Sequence, residues 1–284
     1  SEITLQPIKR YNIDSAIIFS DILLVPFAMG QEVEFIKDKG PVLSAFSSKV
    51  FFKIKKNIFL NRLSPIYKSI NKTRINLDKH KSLIGFVGAP WTLLIYMLGL
   101  KKENNINFSR VDNKNLNIDR ILDKLIEYLC LHIEHQINAG ADVIQIFDSW
   151  AGLLPEDKLE KFCYLPNLKI VNFCKSKKIP TICFPKGIKE NYLDFYNLVR
   201  PEGLSLDHDI KPLWAKEKLT DVVLQGGMHP KVLFKTEDEI YEEAKIYLDT
   251  FKNVPYIFNL GHGIMPGTNP DKLGKLIKFV KDYK

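Results

Sequence analysis

No apolar run in this sequence approaches the roughly 20 residues that a membrane-crossing helix needs. The longest candidate, Ile17 to Met29, is short and is interrupted by Asp21. Neither a signal-peptide pattern nor an Arg-rich transit-like start is present. Only four cysteines occur (Cys130, Cys163, Cys174 and Cys183), without close pairing. That spacing argues against a disulfide scaffold and suits free thiols in a reducing, cytoplasmic compartment. Arginine is scarce too: six of the 41 basic residues, the rest being lysines spread over loops and helix faces. The net charge of +8 suits an anionic substrate or a solvated surface. With no zinc-finger, RNP or helix-turn-helix pattern, nucleic acid is not an expected partner. A GxxxxGK[ST] phosphate loop and a G-x-S-x-G nucleophile elbow are also missing, which argues against P-loop chemistry and a serine-hydrolase triad.

What is present is a repeated grammar. Ala16-Ile17-Ile18-Phe19-Ser20 runs into Asp21, Val143–Phe147 into Asp148-Ser149-Trp150, and Tyr256–Leu260 into Gly261-His262-Gly263. Apolar strands with polar tips are how a parallel barrel presents an active site. Short apolar runs alternate with helical stretches, which predicts βα units. Seven strands are expected: Ala16–Ser20, Leu83–Val87, Val143–Phe147, Thr181–Phe184, Gly203–Leu206, Val222–Leu224 and Tyr256–Leu260. Ile118, Ile121, Leu122, Leu125, Leu129, Ile133 and Ile137 form one helix face, with Asn117 to cap it and Gly140 to end it. Asn269-Pro270 opens the last helix. A small hairpin is expected from Val33–Ile36 and Pro41–Ala45, joined across Lys37–Gly40, and a surface excursion over Lys101–Asn117. With no repeat or linker, residues 1–284 read as one barrel domain. Barrel closure takes eight strands, so the first is expected to be missing. An open doubly wound sheet is the structural alternative.

Several residues are candidates for chemistry, each with a plainer reading beside it. Asp21 is either a helix N-cap or a carboxylate at the pocket floor that stabilises N–H donors or a developing cation. Tyr96, in the helix after Gly88-Ala89-Pro90, is either an amphipathic core tyrosine or a pocket residue. Ser149 reads as a hydrogen-bond donor to a substrate acid. His262 lies between two glycines that let backbone approach a ligand, but a lone histidine is often structural. His132 and His135, three apart on one helix, could share a metal; no Glu or Cys joins them at ligand spacing, so packing is the favoured role.

Together, SEITLQPI (1–8), FSDIL (19–23), GFVGAPWTLLIYM (85–97), AGADVIQIFDSWAG (139–152), LQGG (224–227) and FNLGHGI (258–264) resemble the uroporphyrinogen decarboxylase family, in its order and across the whole chain. The resemblance implies a (β/α)8 TIM-type barrel, a homodimer, and no cofactor or metal. It implies removal of four acetate carboxyls from uroporphyrinogen III to give coproporphyrinogen III in haem biosynthesis. Asp21 matches the family's central, catalytic aspartate that binds pyrrole N–H groups. Tyr96, Ser149 and His262 match its substrate-contacting tyrosine, serine or threonine, and histidine. The family's upstream Arg-Gln-Ala-Gly-Arg-Tyr segment is not matched here, so the 284-residue chain by itself is expected to be impaired. The alternatives are a zinc-dependent methyltransferase of the same barrel superfamily, whose His-x-Cys motif is not found here, and a tetrapyrrole-binding remnant without turnover.

Overall fold

All seven predicted strands form one parallel sheet in the computed structural model, which describes residues 1–36, 40–102, 105–106 and 116–283. They are β1 (Ser15–Ile17), β4 (Ser82–Gly88), β7 (Val143–Asp148), β8 (Thr181–Pro185), β9 (Gly203–Leu206), β10 (Val223–Gly226) and β11 (Tyr256–Ile257), side by side in that order. Two antiparallel hairpins branch from this frame: β2 (Val33–Ile36) with β3 (Gly40–Leu43), and β5 (Lys101–Lys102) with β6 (Asn105–Ile106). The connector of the first hairpin (37–39) and most of the expected excursion (103–104 and 107–115, with Arg110) lie outside the described residues.

Two strands, β1 and β11, end earlier than expected, each for a local reason, while the other five lie within two residues of expectation at either end. β1 ends at Ile17 because the ladder is interrupted two residues on. Ile18 N still donates to Ile84 O at 3.0 Å, but Phe19 N turns to Thr4 Oγ1 on the first helix, also at 3.0 Å. β11 stops at Ile257 because β10 bends away through Gly226 and Gly227, whose φ values of 81° and 104° favour glycine. Pairing resumes in one bridge, Met228 to Leu260.

Helix ends follow the sequence signals. Asn117 Oδ1 accepts from Arg120 N at 3.0 Å ahead of helix Ile118–Asn138, and Gly140 follows with φ 111°. Pro90 opens helix Pro90–Leu98, while Pro270 opens helix Pro270–Asp282 with Asn269 Oδ1 accepting from Asp271 N at 2.9 Å. The apolar face of Ile118–Asn138 is buried from Ile118 to Ile133 against the sheet and helix Lys56–Asn76.

Among the described residues, β1 pairs only with β4, and β11 only with β10. The sheet nevertheless curls, because the first and last helices meet across its two edges. Tyr11 Oη donates to Pro270 O at 3.3 Å, and Lys281 bonds Asn12 O and pairs with Asp14 at 3.3 Å. Inside the curl, Phe86, Phe147 and Phe184 stand edge to face on neighbouring strands, with centroids 5.6 and 6.4 Å apart.

Candidate active site

Parallel pairing sends every strand's C-terminal tip to one end of the sheet, and hydrogen bonds of the backbone, one of them to a side chain, link neighbouring tips into a rim. Ala89 N donates to Phe147 O (2.8 Å), linking the exits of β4 and β7. Gly152 N donates to Lys186 O (2.9 Å), linking β7 to β8, and Gly187 N to Asp207 Oδ2 (2.6 Å), linking β8 to β9. Gly261 N donates to Met228 O (2.8 Å), linking β11 to β10. Two glycines make this possible. A Cβ on Gly152 would lie 2.5 Å from the Gly187 carbonyl oxygen, and one on Gly261 would lie 2.6 Å from His208 N.

The four predicted site residues lie along this rim. Asp21 is half-buried just beyond β1, and its Oδ1 accepts from Leu23 N at 2.7 Å ahead of the short helix Leu24–Ala28. The capping reading of Asp21 is therefore real. Only Oδ1 is used, however; Oδ2 makes no hydrogen bond to a described residue. Ser149 follows β7 directly and is half-buried. Tyr96 is brought to the same exit by its ring, edge-on to that of Trp150 with centroids 6.1 Å apart. His262 lies apart from these three, beyond β11, where burial and the nearby Lys186 ammonium hold its imidazole below its ordinary pKa.

The acid beside Ser149 has a different job. Side chains alternate along β7, so Asp148 falls on the face of Ile144 and Ile146, toward the helices, and is fully buried. Thr92 Oγ1 donates to its Oδ1 at 2.7 Å and Asn167 Nδ2 to its Oδ2 at 3.2 Å. Burial outweighs these bonds and pushes the carboxyl up to about 6. Thr92 Oγ1 also accepts from Trp150 N at 3.2 Å, so the Asp148–Thr92 pair fixes the turn that carries Ser149.

Sequence reasoning missed a histidine cluster. His208 follows β9 and His229 follows β10; their ring centroids are 4.0 Å apart. His262 is close enough to feel the charges of His208 and Asp207. Three of the six histidines thus converge on one side of the rim. The signal was the strand grammar itself: Gly203–Leu206 runs into Asp207-His208, and Val223–Gly226 soon reaches His229. The other helical pair, His132 and His135, packs against the Tyr67 ring, with His132 Nδ1 3.0 Å from Tyr67 Oη. Burial drives His132 down to about 3. Among the described residues, no group of three or more His, Cys, Asp or Glu is disposed to hold a metal ion.

An apolar cavity of about 500 Å³ does not coincide with this rim. It runs between helix Glu2–Tyr11 and β1, and reaches Phe86, Phe147 and Ser20 but stops short of Asp21. Chemistry favours the polar rim over this apolar slot as the reaction centre, with the slot opening into the same interior.

A curled parallel sheet wrapped by helices, with its polar groups gathered at the strand tips, defines a TIM-barrel-type enzyme. The fold is shared with a methyltransferase from Methanosarcina mazei (TM-score 0.79, 19% identity, 99% of this chain and 84% of that one). It is also shared with a B12-independent methionine synthase from Shewanella sp. (TM-score 0.61, 11% identity, 99% and 84%). The model of the uroporphyrinogen decarboxylase family matches residues 1–283. Proteins named uroporphyrinogen decarboxylase from Rickettsia bellii (40% identical, 100% of this chain and 85% of that protein) and Orientia tsutsugamushi (39%, 100% and 84%) are similar throughout. The chain belongs to the uroporphyrinogen decarboxylase family, a family of carboxy-lyases.

Proposed function

We propose that the protein removes the four acetate carboxyls of uroporphyrinogen III, releasing four CO2 and leaving methyl groups, to give coproporphyrinogen III in haem biosynthesis. The chemistry at each arm is constrained. Breaking the bond to the carboxyl leaves an electron pair that needs a sink. Protonating the pyrrole α-carbon next to the carbon that bears the arm makes the ring cationic and supplies that sink within the substrate. The electron pair moves into the ring as CO2 leaves. Protonation of the resulting exocyclic methylene and loss of the ring proton then complete the methyl group, with a net uptake of one proton per CO2.

Asp21 is the residue we assign to the cationic intermediate. A carboxylate near the pyrrole N–H groups stabilises positive charge most where water is excluded. With Oδ1 fixed by Leu23 N, the carboxylate is oriented in advance, and Oδ2 remains to face substrate. Tyr96, Ser149 and His262 orient the carboxylate arms. The net charge of +8 favours the approach of a substrate with eight carboxylates.

The observation that carries this reading is the position of Asp21, Ser149 and His262 just beyond the tips of three strands of one parallel sheet, in a chain that matches the family over residues 1–283. A homodimer in the cytoplasm completes it, on the family resemblance and on four free thiols, of which three are buried. Anaerobic incubation of the native protein with uroporphyrinogen III tests the proposal. Chromatography of the oxidised products is expected to show seven-, six-, five- and then four-carboxyl porphyrins. Unchanged octacarboxylate would overturn it.

A further inference from the structure

Building on that reading, we propose that His208 and His229 are substrate-contacting residues which, with His262 and Lys186, receive a carboxylate arm of the macrocycle on the β8–β11 side of the rim. The two rings come from successive strand exits, stand 4.0 Å apart and are each half-buried. Gly261 holds the His262 loop against the His208 backbone, where a Cβ would lie 2.6 Å from His208 N.

The hydrogen bonding of the pair is directional. His229 Nδ1 accepts from Lys231 N at 3.0 Å, which puts the neutral ring's proton on Nε2 and makes that edge a donor. His208 Nδ1 is buried and has no hydrogen-bond partner among the described residues, a costly state that packing alone does not require. His208 Nε2 is 3.8 Å from Asp209 Oδ1, beyond hydrogen-bond range, so its other edge is not committed either. A purely structural histidine pair would satisfy these edges within the protein. An anion satisfies imidazole N–H groups and relieves the proximity of two rings that repel when both are charged.

The surrounding charges set the pH dependence. Lys186 comes from the β8 exit, Asp207 and Asp209 from the β9 exit, Lys231 from beyond β10, Glu243 from helix Glu237–Phe251 and His262 from the β11 exit. Asp207 is already engaged by Gly187 N, Asp209 N and Tyr192 Oη. Burial and His208 hold His229 below its ordinary pKa, and burial and Lys186 do the same to His262. Binding a carboxylate favours the imidazolium and raises these pKa values. Affinity for an octacarboxylate is therefore expected to strengthen as pH falls from 8 to 6.

The test is fluorescence titration with uroporphyrin III, the oxidised octacarboxylate, at pH 6, 7 and 8, alongside anaerobic kinetics with uroporphyrinogen III. His229→Gln and His208→Phe are each expected to raise Kd and KM about tenfold at pH 6, the equivalent of one charge-assisted hydrogen bond. Their kcat should stay within a few-fold of wild type, and the strengthening toward pH 6 should flatten. If His208→Phe fails to fold, the milder His229→Gln decides. Wild-type Kd and pH slope in folded His229→Gln would overturn the inference. Tight binding by wild-type protein without CO2 release would instead overturn the proposed decarboxylation and leave this inference standing.

Discussion

The two sides of the rim solve opposite problems. At the exits of β4, β7 and β8, polar groups are paired: buried Asp148 with Thr92 and Asn167, Trp150 N with Thr92, and Gly152 backbone against Gly187. At the exits of β9 to β11, three histidines stand half-buried or exposed, and His208 Nδ1 has no hydrogen-bond partner among the described residues. The first side resembles a closed hydrogen-bond network, which rigidifies. The second leaves its donors for something else. Rigid support beside adaptable donors is what a site needs if it must hold one reacting centre and accept several arms of a large substrate in turn.

Substitutions can break this contrast, the largest effects falling on the rigid side. Gly152→Ala drives a methyl group into the Gly187 carbonyl and is expected to lower stability by about 3 kcal/mol, read by thermal unfolding. Thr92→Val removes both the donor to Asp148 and the acceptor for Trp150 N; about 2 kcal/mol is expected by denaturant titration. Buried titrating groups give a smaller, pH-dependent effect. Asp148, pushed up to about 6 from 3.8, keeps its proton in the folded state over that window, so its contribution to stability falls as pH rises from about 4 to 6. His132, lowered to about 3 from 6.5, has the opposite sign: its contribution is full above pH 6.5 and is lost as pH falls toward 3. Asp148→Asn should therefore steepen the loss of stability below pH 6, by up to about 1.4 kcal/mol per pH unit. Smallest of all, Gly263→Ala on the open side meets no atom within 4 Å and should change stability by less than about 0.5 kcal/mol.

Much of this architecture was legible in the residues. Apolar runs bounded by turn residues located all seven strands, and Asn117, Pro90 and Asn269-Pro270 marked helix ends because capping is local chemistry. The early end of β1 was not legible, since Phe19 N is taken by Thr4, fifteen residues away. Nor did strand-tip grammar distinguish Asp21 from Asp148. Both are acids beyond apolar runs, but alternation turns Asp148 toward the helices, while the departure of the chain after β1 leaves Asp21 half-exposed. The pairing of His208 with His229 depends on strand order, which brings together residues that are 21 apart in sequence. Single-strand reading, applied to the β9 and β10 exits as it was to β11, would have flagged each one.

In the proposed reaction Asp21 stabilises a cationic intermediate and is more than a cap. Asp21→Asn separates the two, because an asparagine oxygen can still accept from Leu23 N and preserve the turn. The decisive measurement is the anaerobic rate of coproporphyrinogen III formation from uroporphyrinogen III by the native protein and by this variant, with unfolding temperature measured in parallel. We predict a loss of about 100-fold or more in kcat at unchanged stability. Wild-type kcat in the variant would contradict the account.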